Sequence, residues 1–401
     1  MDPTVRAIHA LYASFAYAPP HHQWTVLAAV VATAPDAPDN IISIATGTKC
    51  APAARLSPHG EAVHDCHAEV LARRAALRWL FAEVLRLRAT STSTWLVAAA
   101  DGRCALRPGV RLALYVSALP CGDASMRTLA ALQDPAAAKL MSSAFFPALA
   151  PGAVSRGRDD YARLGVLRTK PGRADSPPTR CMACSDKLAR WATLGVQGAL
   201  GARVLAPMYL SDVIVGDVPP ALHALALEDC ARAFSARVGA LDGLPPEYAP
   251  HAPTVHFTSE PFVHSRTVLG SPSSSNESLC WTADAAPRPE ILIAGLRRGT
   301  SPKHRYRPKS LPAVSRLALL ALYTQLAPDE PLSDTTTYES VKFRATAYQA
   351  AKRRLIGPGT PFAGWVATGA ACQQFNAHGD VVPGAHLALD ESTEDLPVVV
   401  S

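Results

Sequence analysis

The apolar positions of the chain change period along its length. Trp24 to Ala32 and Asn40 to Ala45 form two short apolar runs joined by Pro35-Asp36-Ala37-Pro38-Asp39, which reads as strand, turn, strand. From Cys66 to Leu87, the spacing of Val70, Leu71, Leu77, Leu80, Phe81, Val84 and Leu85 predicts a long amphipathic helix. Leu112 to Ser117 alternates as a strand and runs into Pro120-Cys121-Gly122, where a second helix is predicted to begin. A basic, Pro/Gly-rich loop over 168–180 precedes a further helix expected from Cys184 to Leu194. Strands that hand over to helices in this order predict a layered α/β fold. Beyond Val218 the pattern is less regular: Gly270 to Ser278 reads as a loop, 312–326 and 338–355 read as helices, and the tail after Gly369 carries no signal. No internal repeat is present.

At 401 residues the chain can bury a large core. A hydrophobic share of 48% and a mean hydropathy of +0.07 place it among globular chains, not disordered ones. The longest apolar run, around Val26 to Ala34, is far too short to span a membrane. Met1-Asp2-Pro3 lacks the basic start and apolar stretch of a secretory signal. Nine cysteines at irregular spacing do not make a disulfide framework. An intracellular setting, nuclear or cytoplasmic, is therefore expected, with thiols available for metal. The formal charge of +6 is compatible with a polyanionic partner without requiring one.

The candidate chemistry sits at two predicted strand-to-helix junctions. Asp65-Cys66-His67-Ala68-Glu69 opens the long helix and puts an imidazole and a carboxylate two residues apart at one helix end. An H-x-E pair followed by P-C-x-x-C marks zinc nucleobase deaminases, and Pro120-Cys121 supplies the start of the second part. Three residues past Cys121 stands Ala124, so the usual second cysteine is missing. Catalytic zinc takes three protein ligands and leaves a vertex for water. The third ligand must come from elsewhere, and Cys181 and Cys184 are the candidates that spacing does not separate. Glu69 is the expected proton shuttle: it takes a proton from the activated water, passes it to N1 of adenine, and protonates the ammonia leaving C6.

With these residues in view, the chain resembles the RNA adenosine deaminases (adenosine-to-inosine editases), specifically the tRNA-specific adenosine deaminase 1 type. The resemblance rests on Gly47-Thr48-Lys49-Cys50, on DCHAEVLARRAALRWL from Asp65, and on LYVSALPCGDASM from Leu114. It continues through LRTKPGRADSP from Leu167, CSDKLARWATLGVQGAL from Cys184, PMYLSDVIVG from Pro207, YESVKFRATAYQAAKRRL from Tyr338 and Gly364-Trp365-Val366. It implies a cytidine-deaminase-like layered α-β-α zinc core over about 24–218. The portion over about 219–368 would enclose an inositol phosphate, within a single deaminase domain spanning 1–401. It also implies that the third zinc ligand is the cysteine before Ser-Asp-Lys, Cys184, beside His67 and Cys121, with Cys181 a bystander.

The resemblance further implies a buried inositol hexakisphosphate. The matching positions are Arg73, Arg74, Lys187, Arg190, Trp191, Tyr338, Lys342, Tyr348, Gln349, Lys352 and Trp365. Asp65 and Lys170, together with Lys187, would link the zinc ligands to it. Two cations of the family pattern are replaced here, by Leu319 and Thr368, with Lys309 and Arg353 as candidate substitutes. The implied substrate is the adenosine immediately 3′ of the anticodon of an alanine tRNA, and Thr48, Lys49, Arg168, Arg173 and Arg180 are the candidate RNA contacts. The Leu167 to Pro177 segment is of the tRNA type and lacks the longer glutamate loop of duplex editors. No double-stranded RNA-binding domain fits before a core that begins near Trp24, and no protein or membrane partner is indicated. The competing readings are an editor of messenger or duplex RNA, a non-catalytic zinc-containing RNA-binding subunit, and a deaminase of free nucleosides.

Overall fold

The computed structural model describes residues 1–383, except 142–145, 147, 150–152, 173–175 and 285–287. The strands that build the sheet and the site are β1 (Leu27–Ala34), β2 (Ala37–Thr46), β3 (Thr48–Cys50), β4 (Asp65–His67), β5 (Arg111–Val116), β6 (Leu210–Val215), β7 (Thr254–Phe257), β8 (Glu277–Thr282), β9 (Glu290–Ile293) and β10 (Leu296–Arg297). Eight of them form one mixed sheet in the order β7-β6-β5-β1-β2-β8-β9-β10, with β6 parallel to both β5 and β7 and the other neighbours antiparallel. β3 and β4 pair separately.

Both faces of β1 are covered, which is why its sequence is a continuous apolar run. Ala28, Val30 and Ala32 face the core under helix α2 (Ala68–Thr90). Leu27, Ala29 and Val31 face the other way, onto Val5, Ile8 and Tyr12 of helix α1 (Asp2–Ser14). α1 lies ahead of the expected start of the core near Trp24. Its buried residues recur at helical spacing, a weak signal in a short segment. The β1–β2 hairpin is tighter than expected, with Ala34 opposite Ala37, so Ala37-Pro38-Asp39 belong to the strand. Pro38 is tolerated because β8 pairs only with Ser43, Ile44 and Ala45, leaving the start of β2 an edge.

Several expected boundaries move, each for a local reason. α2 begins at Ala68, not Cys66, because Asp65–His67 is held as β4 against β3. No helix starts at Pro120: a 3-10 turn over Asp123–Ser125 intervenes before α3 (Met126–Leu132). α4 (Cys184–Leu194) has the expected limits. The loop after Gly270 ends where β8 begins, at Glu277. α5 (Arg316–Leu326) starts at a Ser315 cap, whose Oγ accepts the Ala318 N–H at 3.1 Å. The single helix expected over 338–355 is two, α6 (Tyr338–Phe343) and α7 (Thr346–Leu355). At the break, the Lys342 carbonyl accepts the Ala345 N–H at 3.3 Å and Gln349 Nε2 at 2.8 Å.

The C-terminal helices return to the N-terminal half. Tyr348, Ala351 and Leu355 of α7 share an apolar cluster with Ala189 and Leu194 of α4. The tail that carried no sequence signal is anchored too: buried Phe375 stacks on Tyr338, with ring centroids 5.1 Å apart. Phe375 fills the space beside Gly60, where a Cβ would come within 2.2 Å of its ring. Among the described residues, no helix is long and apolar enough to cross a membrane.

Candidate active site

The site is assembled where β4, the segment before α3, and the start of α4 meet. β3 lies against β4 with Thr48 opposite His67 and Cys50 opposite Asp65. Asp65 is buried, and its Oδ1 accepts both the His67 backbone N–H at 3.0 Å and His67 Nδ1 at 2.9 Å. That contact puts a ring proton on Nδ1, while the ring also bonds the Cys121 sulfur. Cys184 N donates to Cys121 Sγ at 3.4 Å and Ser185 N to the Cys121 carbonyl at 3.0 Å, so the two cysteine-bearing segments are tied directly. Gly122 makes the approach possible: its φ is +100°, and a Cβ there would lie 2.4 Å from the Ala183 Cβ.

Cys121 is the hub of the group. A bond from the Cys184 thiol holds its thiol well below the ordinary range against the opposing effect of burial, helped by Lys170 and His67. Cys121 is thus in contact with both His67 and Cys184. Glu69, only 4% exposed, faces them from the first turn of α2. Burial pushes its carboxyl upward, and the Cys121 thiolate adds to the rise. Lys170, 3% exposed, donates to Asp65 Oδ2 at 2.8 Å and to Cys184 Sγ at 3.2 Å, and Lys187 also pairs with Asp65. Burial drives the Asp65 carboxyl up, yet Lys170, Lys187 and His67 outweigh it and hold Asp65 well below the carboxylate range.

A second donor set lies on the other side of the imidazole. Ligand atoms of Cys50, Asp65 and Cys181 fall within 4.8 Å of one another and could hold a metal ion. Cys50 Sγ lies 3.4 Å from His67 Nδ1 and donates to Asp65 Oδ1 at 3.4 Å. Sequence reasoning passed over Cys50, because only the β3–β4 pairing brings it here. In this set the carboxylate already serves two ammoniums and an imidazole, whereas Cys121 and Cys184 lie close enough to Glu69 for their charges to act on one another.

A profile of the adenosine-deaminase (editase) domain matches residues 43–368. The chain belongs to that family. Among curated proteins it is similar to tRNA-specific adenosine deaminase 1 of Schizosaccharomyces pombe, 32% identical over 76% of this chain and 78% of the relative. Its likeness to tRNA-specific adenosine deaminase 1 of Mus musculus is 26% identity over 89% of this chain and 95% of the relative. The double-stranded RNA-specific editase Adar of Drosophila melanogaster is 31% identical over 52% of this chain and 31% of that protein.

The deaminase domain also holds a cluster of half-buried cations between α2, α4, α6 and α7. Arg73 Nη1 donates to the Val196 carbonyl at 2.5 Å and its guanidinium lies 5.4 Å from the Trp191 ring. Arg74 Nε donates to the Val314 carbonyl at 2.7 Å, while its Nη2 is buried with no hydrogen-bond partner. Arg190 donates to the Tyr348 hydroxyl at 3.0 Å and lies 5.2 Å from the Trp365 ring. Lys342 bonds Gln373 and sits 5.0 Å from the Tyr338 ring. Burial and the charges of Lys352, Arg316 and Arg190 push the Lys342 ammonium well below its ordinary range, with Glu339 opposing. Lys352 is lowered to about 8, by burial and then by Arg190. Arg316, absent from the expected set, faces both Lys342 and Arg74. Of the two candidate substitutes, Arg353 adds to the field at Lys352, whereas Lys309 is exposed at the surface; Leu319 is buried in the apolar core.

The expected RNA contacts fare unevenly. Arg168 is fully buried; its guanidinium donates to the carbonyls of Gly157 (3.2 Å), Asp159 (2.7 Å), Asp160 (3.0 Å) and Arg163 (2.5 Å). It closes a loop and offers nothing to a ligand, which corrects the expectation. Lys49 is half-buried and donates to Ser274 Oγ at 2.9 Å, and Thr48 is half-buried on β3. Arg180 is exposed, and Arg173 lies outside the described residues.

Proposed function

We propose that this deaminase converts adenosine to inosine in tRNA, at the position immediately 3′ of the anticodon of an alanine tRNA. The observation that carries the chemistry is Glu69, buried without an ion pair beside Cys121, which itself contacts His67 and Cys184. The substrate class is supported by relatives named tRNA-specific that align over most of both chains, while the duplex editase aligns over about half of this one.

His67 Nε2, Cys121 and Cys184 would hold a zinc ion; one imidazole and two thiolates is a donor set that suits zinc and leaves a fourth position open. Bound there, zinc supplies the acidity that lets water lose a proton near neutral pH. Asp65 fixes the His67 tautomer, and Lys170 offsets the thiolate charge it touches. Glu69 accepts one water proton and places it on N1 of adenine, then takes the second from the hydroxyl now on C6 and delivers it to the exocyclic amine. The water oxygen stays on C6 as a carbonyl and ammonia leaves, so atoms balance. A carboxylate whose neutral form is favoured by burial is suited to hold a proton between those two transfers.

The cation cluster fits inositol hexakisphosphate. Arg73, Arg74, Arg190, Lys342 and Lys352 would meet its phosphates, with Tyr338, Tyr348, Gln349, Trp191 and Trp365 lining the space and Lys187 bridging to Asp65. The unpartnered Arg74 Nη2 and the suppressed Lys342 are the marks of an anion-seeking interior. Bound there, the ligand would neutralise the cluster. On this reading the chain is one domain, a zinc core over about 24–218 and an enclosing portion over about 219–368. Incubation with total tRNA and with a long duplex, followed by sequencing for inosine, tests the substrate. Inosine 3′ of the alanine anticodon is expected, and inosine confined to the duplex would overturn the assignment.

A further inference from the structure

Between Leu296 and Ser310 the chain carries Arg297, Arg298, Lys303, Arg305, Arg307 and Lys309, and no acidic residue occurs from Ile291 to Pro328. A segment with that much charge in a chain of net +6 concentrates the positive field in one place. Two short 3-10 turns, Pro302–His304 and Pro308–Ser310, shape it into an arm beyond the last strand of the sheet. Arg298, Lys303, Arg307 and Lys309 are exposed along it, and so is Tyr306, at 53%.

The arm is fastened, not loose. Arg305 Nε donates to Glu61 Oε1 at 2.8 Å, and Glu61 is fully buried. Tyr306 packs edge-on against His59, with ring centroids 4.8 Å apart, and Val63 N donates to the Gly295 carbonyl at 2.9 Å. All three anchors grip residues 59–63, the loop that runs directly into Asp65 and His67. The other end of that loop carries exposed Arg55, and Ala53 N donates to the Pro178 carbonyl at 2.9 Å, two residues before exposed Arg180. Exposed cations therefore flank the same site-bearing loop at both ends.

We propose that this arm is a docking surface for the phosphate backbone of the substrate RNA outside the anticodon loop, with Lys303, Arg307 and Lys309 as its phosphate contacts. The proposal rests on the tRNA reading above. Cations spaced along an exposed segment, with an aromatic face among them, fit a sugar–phosphate backbone, and they supply affinity without sequence selection. A rigid attachment to the loop that bears a candidate zinc ligand would let the RNA body set the position of the anticodon loop.

The test compares full-length tRNA with its isolated anticodon stem-loop, using wild-type protein and a Lys303→Ala/Arg307→Ala/Lys309→Ala variant. The variant is expected to raise KM for full-length tRNA about tenfold or more with little change in kcat. It should erase the preference for full-length tRNA over the stem-loop, and lower the slope of log affinity against log salt by roughly two to three. Equal losses on both RNAs would overturn the proposal by placing the arm at the reacting loop. Unchanged tRNA affinity and slope would overturn it too, and would leave the basic run to be read as a signal for an acidic protein carrier. Binding measured in the Glu69→Ala background separates the two levels. If the wild type makes no inosine in tRNA, the substrate assignment fails, while loss of salt-dependent tRNA binding in the arm variant still reports on the surface.

Discussion

Around Asp65 each buried charge meets its opposite: one carboxylate serves Lys170, Lys187 and His67, and Lys170 also faces the Cys184 sulfur. Two turns into the helix that follows, Arg73 and Arg74 look into a space whose other charges are Arg190, Arg316, Lys342 and Lys352, opposed by Glu339. The first region is balanced by the chain itself. The second is not, and removing charges from water without partners costs several kcal/mol per ion. Self-sufficient balance suits a site that must hold a fixed protonation pattern through turnover. On the reading proposed above, imbalance marks a place where an anion from outside would be held.

The largest effect belongs to the one acid in the balanced region that no cation occupies. Glu69→Ala is expected to lower inosine formation at least ~10³-fold, near the upper range for loss of a general acid–base. Zinc content and melting temperature should stay at the wild-type level, and full activity in this variant would remove the mechanism. The two neighbouring thiol sets divide next. Cys184→Ser is expected to lose zinc by metal analysis, and Cys181→Ser to keep it. The opposite result would move the metal to the Cys50, Asp65 and Cys181 group. Arg168→Ala removes a buried cation satisfied by four carbonyls. It should cost about 3–5 kcal/mol in denaturant unfolding, because the carbonyls it satisfies lose their donor at about 1 kcal/mol or more each. A loss under 1 kcal/mol would mean the loop closes without it.

The unbalanced region predicts a pH signature. In protein prepared free of polyanion, Lys352 releases its proton near 8, against an ordinary value of 10.5 once unfolded. Between those values the unfolded state holds more protons, so stability rises with pH. Below about 8 both states are charged and the penalty is constant. Inositol hexakisphosphate should abolish that rise by keeping the lysines protonated, and should raise the melting temperature at neutral pH. Lys342→Met should lower the phosphate recovered with the purified protein. A pH profile identical with and without the ligand would refute the charge imbalance.

How much of this was legible in the sequence follows the same division. His67, Glu69 and Cys121 announce themselves because the chemistry forces residue types into fixed local spacing. Cys184 needed the family resemblance, since Cys181 offers the same thiol three residues earlier. Cys50 was invisible, because strand pairing and not spacing brings it to Asp65. Arg316 was missed for a related reason: one cation on an apolar helix reads as a solvated residue until the fold turns it toward Lys342. Arg168 misled in the opposite direction, since a basic residue in a basic loop has no local mark that distinguishes a surface contact from a buried clamp. The α6–α7 break was hidden because both halves keep helical spacing, and it shows only in contacts such as Gln349 to the Lys342 carbonyl.

Arg180 tests the smallest claim, that an exposed cation near the site contributes through its charge alone. It borders Gly369, where a Cβ would come 3.2 Å from its Nη1, and it belongs to neither the balanced nor the unbalanced interior. Its charge is already hydrated, so its removal costs the fold little. Arg180→Ala is therefore expected to leave the melting temperature unchanged, weaken tRNA binding a few-fold, and lower the salt slope by about one phosphate contact. Arg180→Lys should restore most of the slope, because a phosphate needs only a nearby positive charge. If lysine restores nothing, the guanidinium makes a directional bond, to a base edge or to the C-terminal segment, and the residue acts by geometry instead of field.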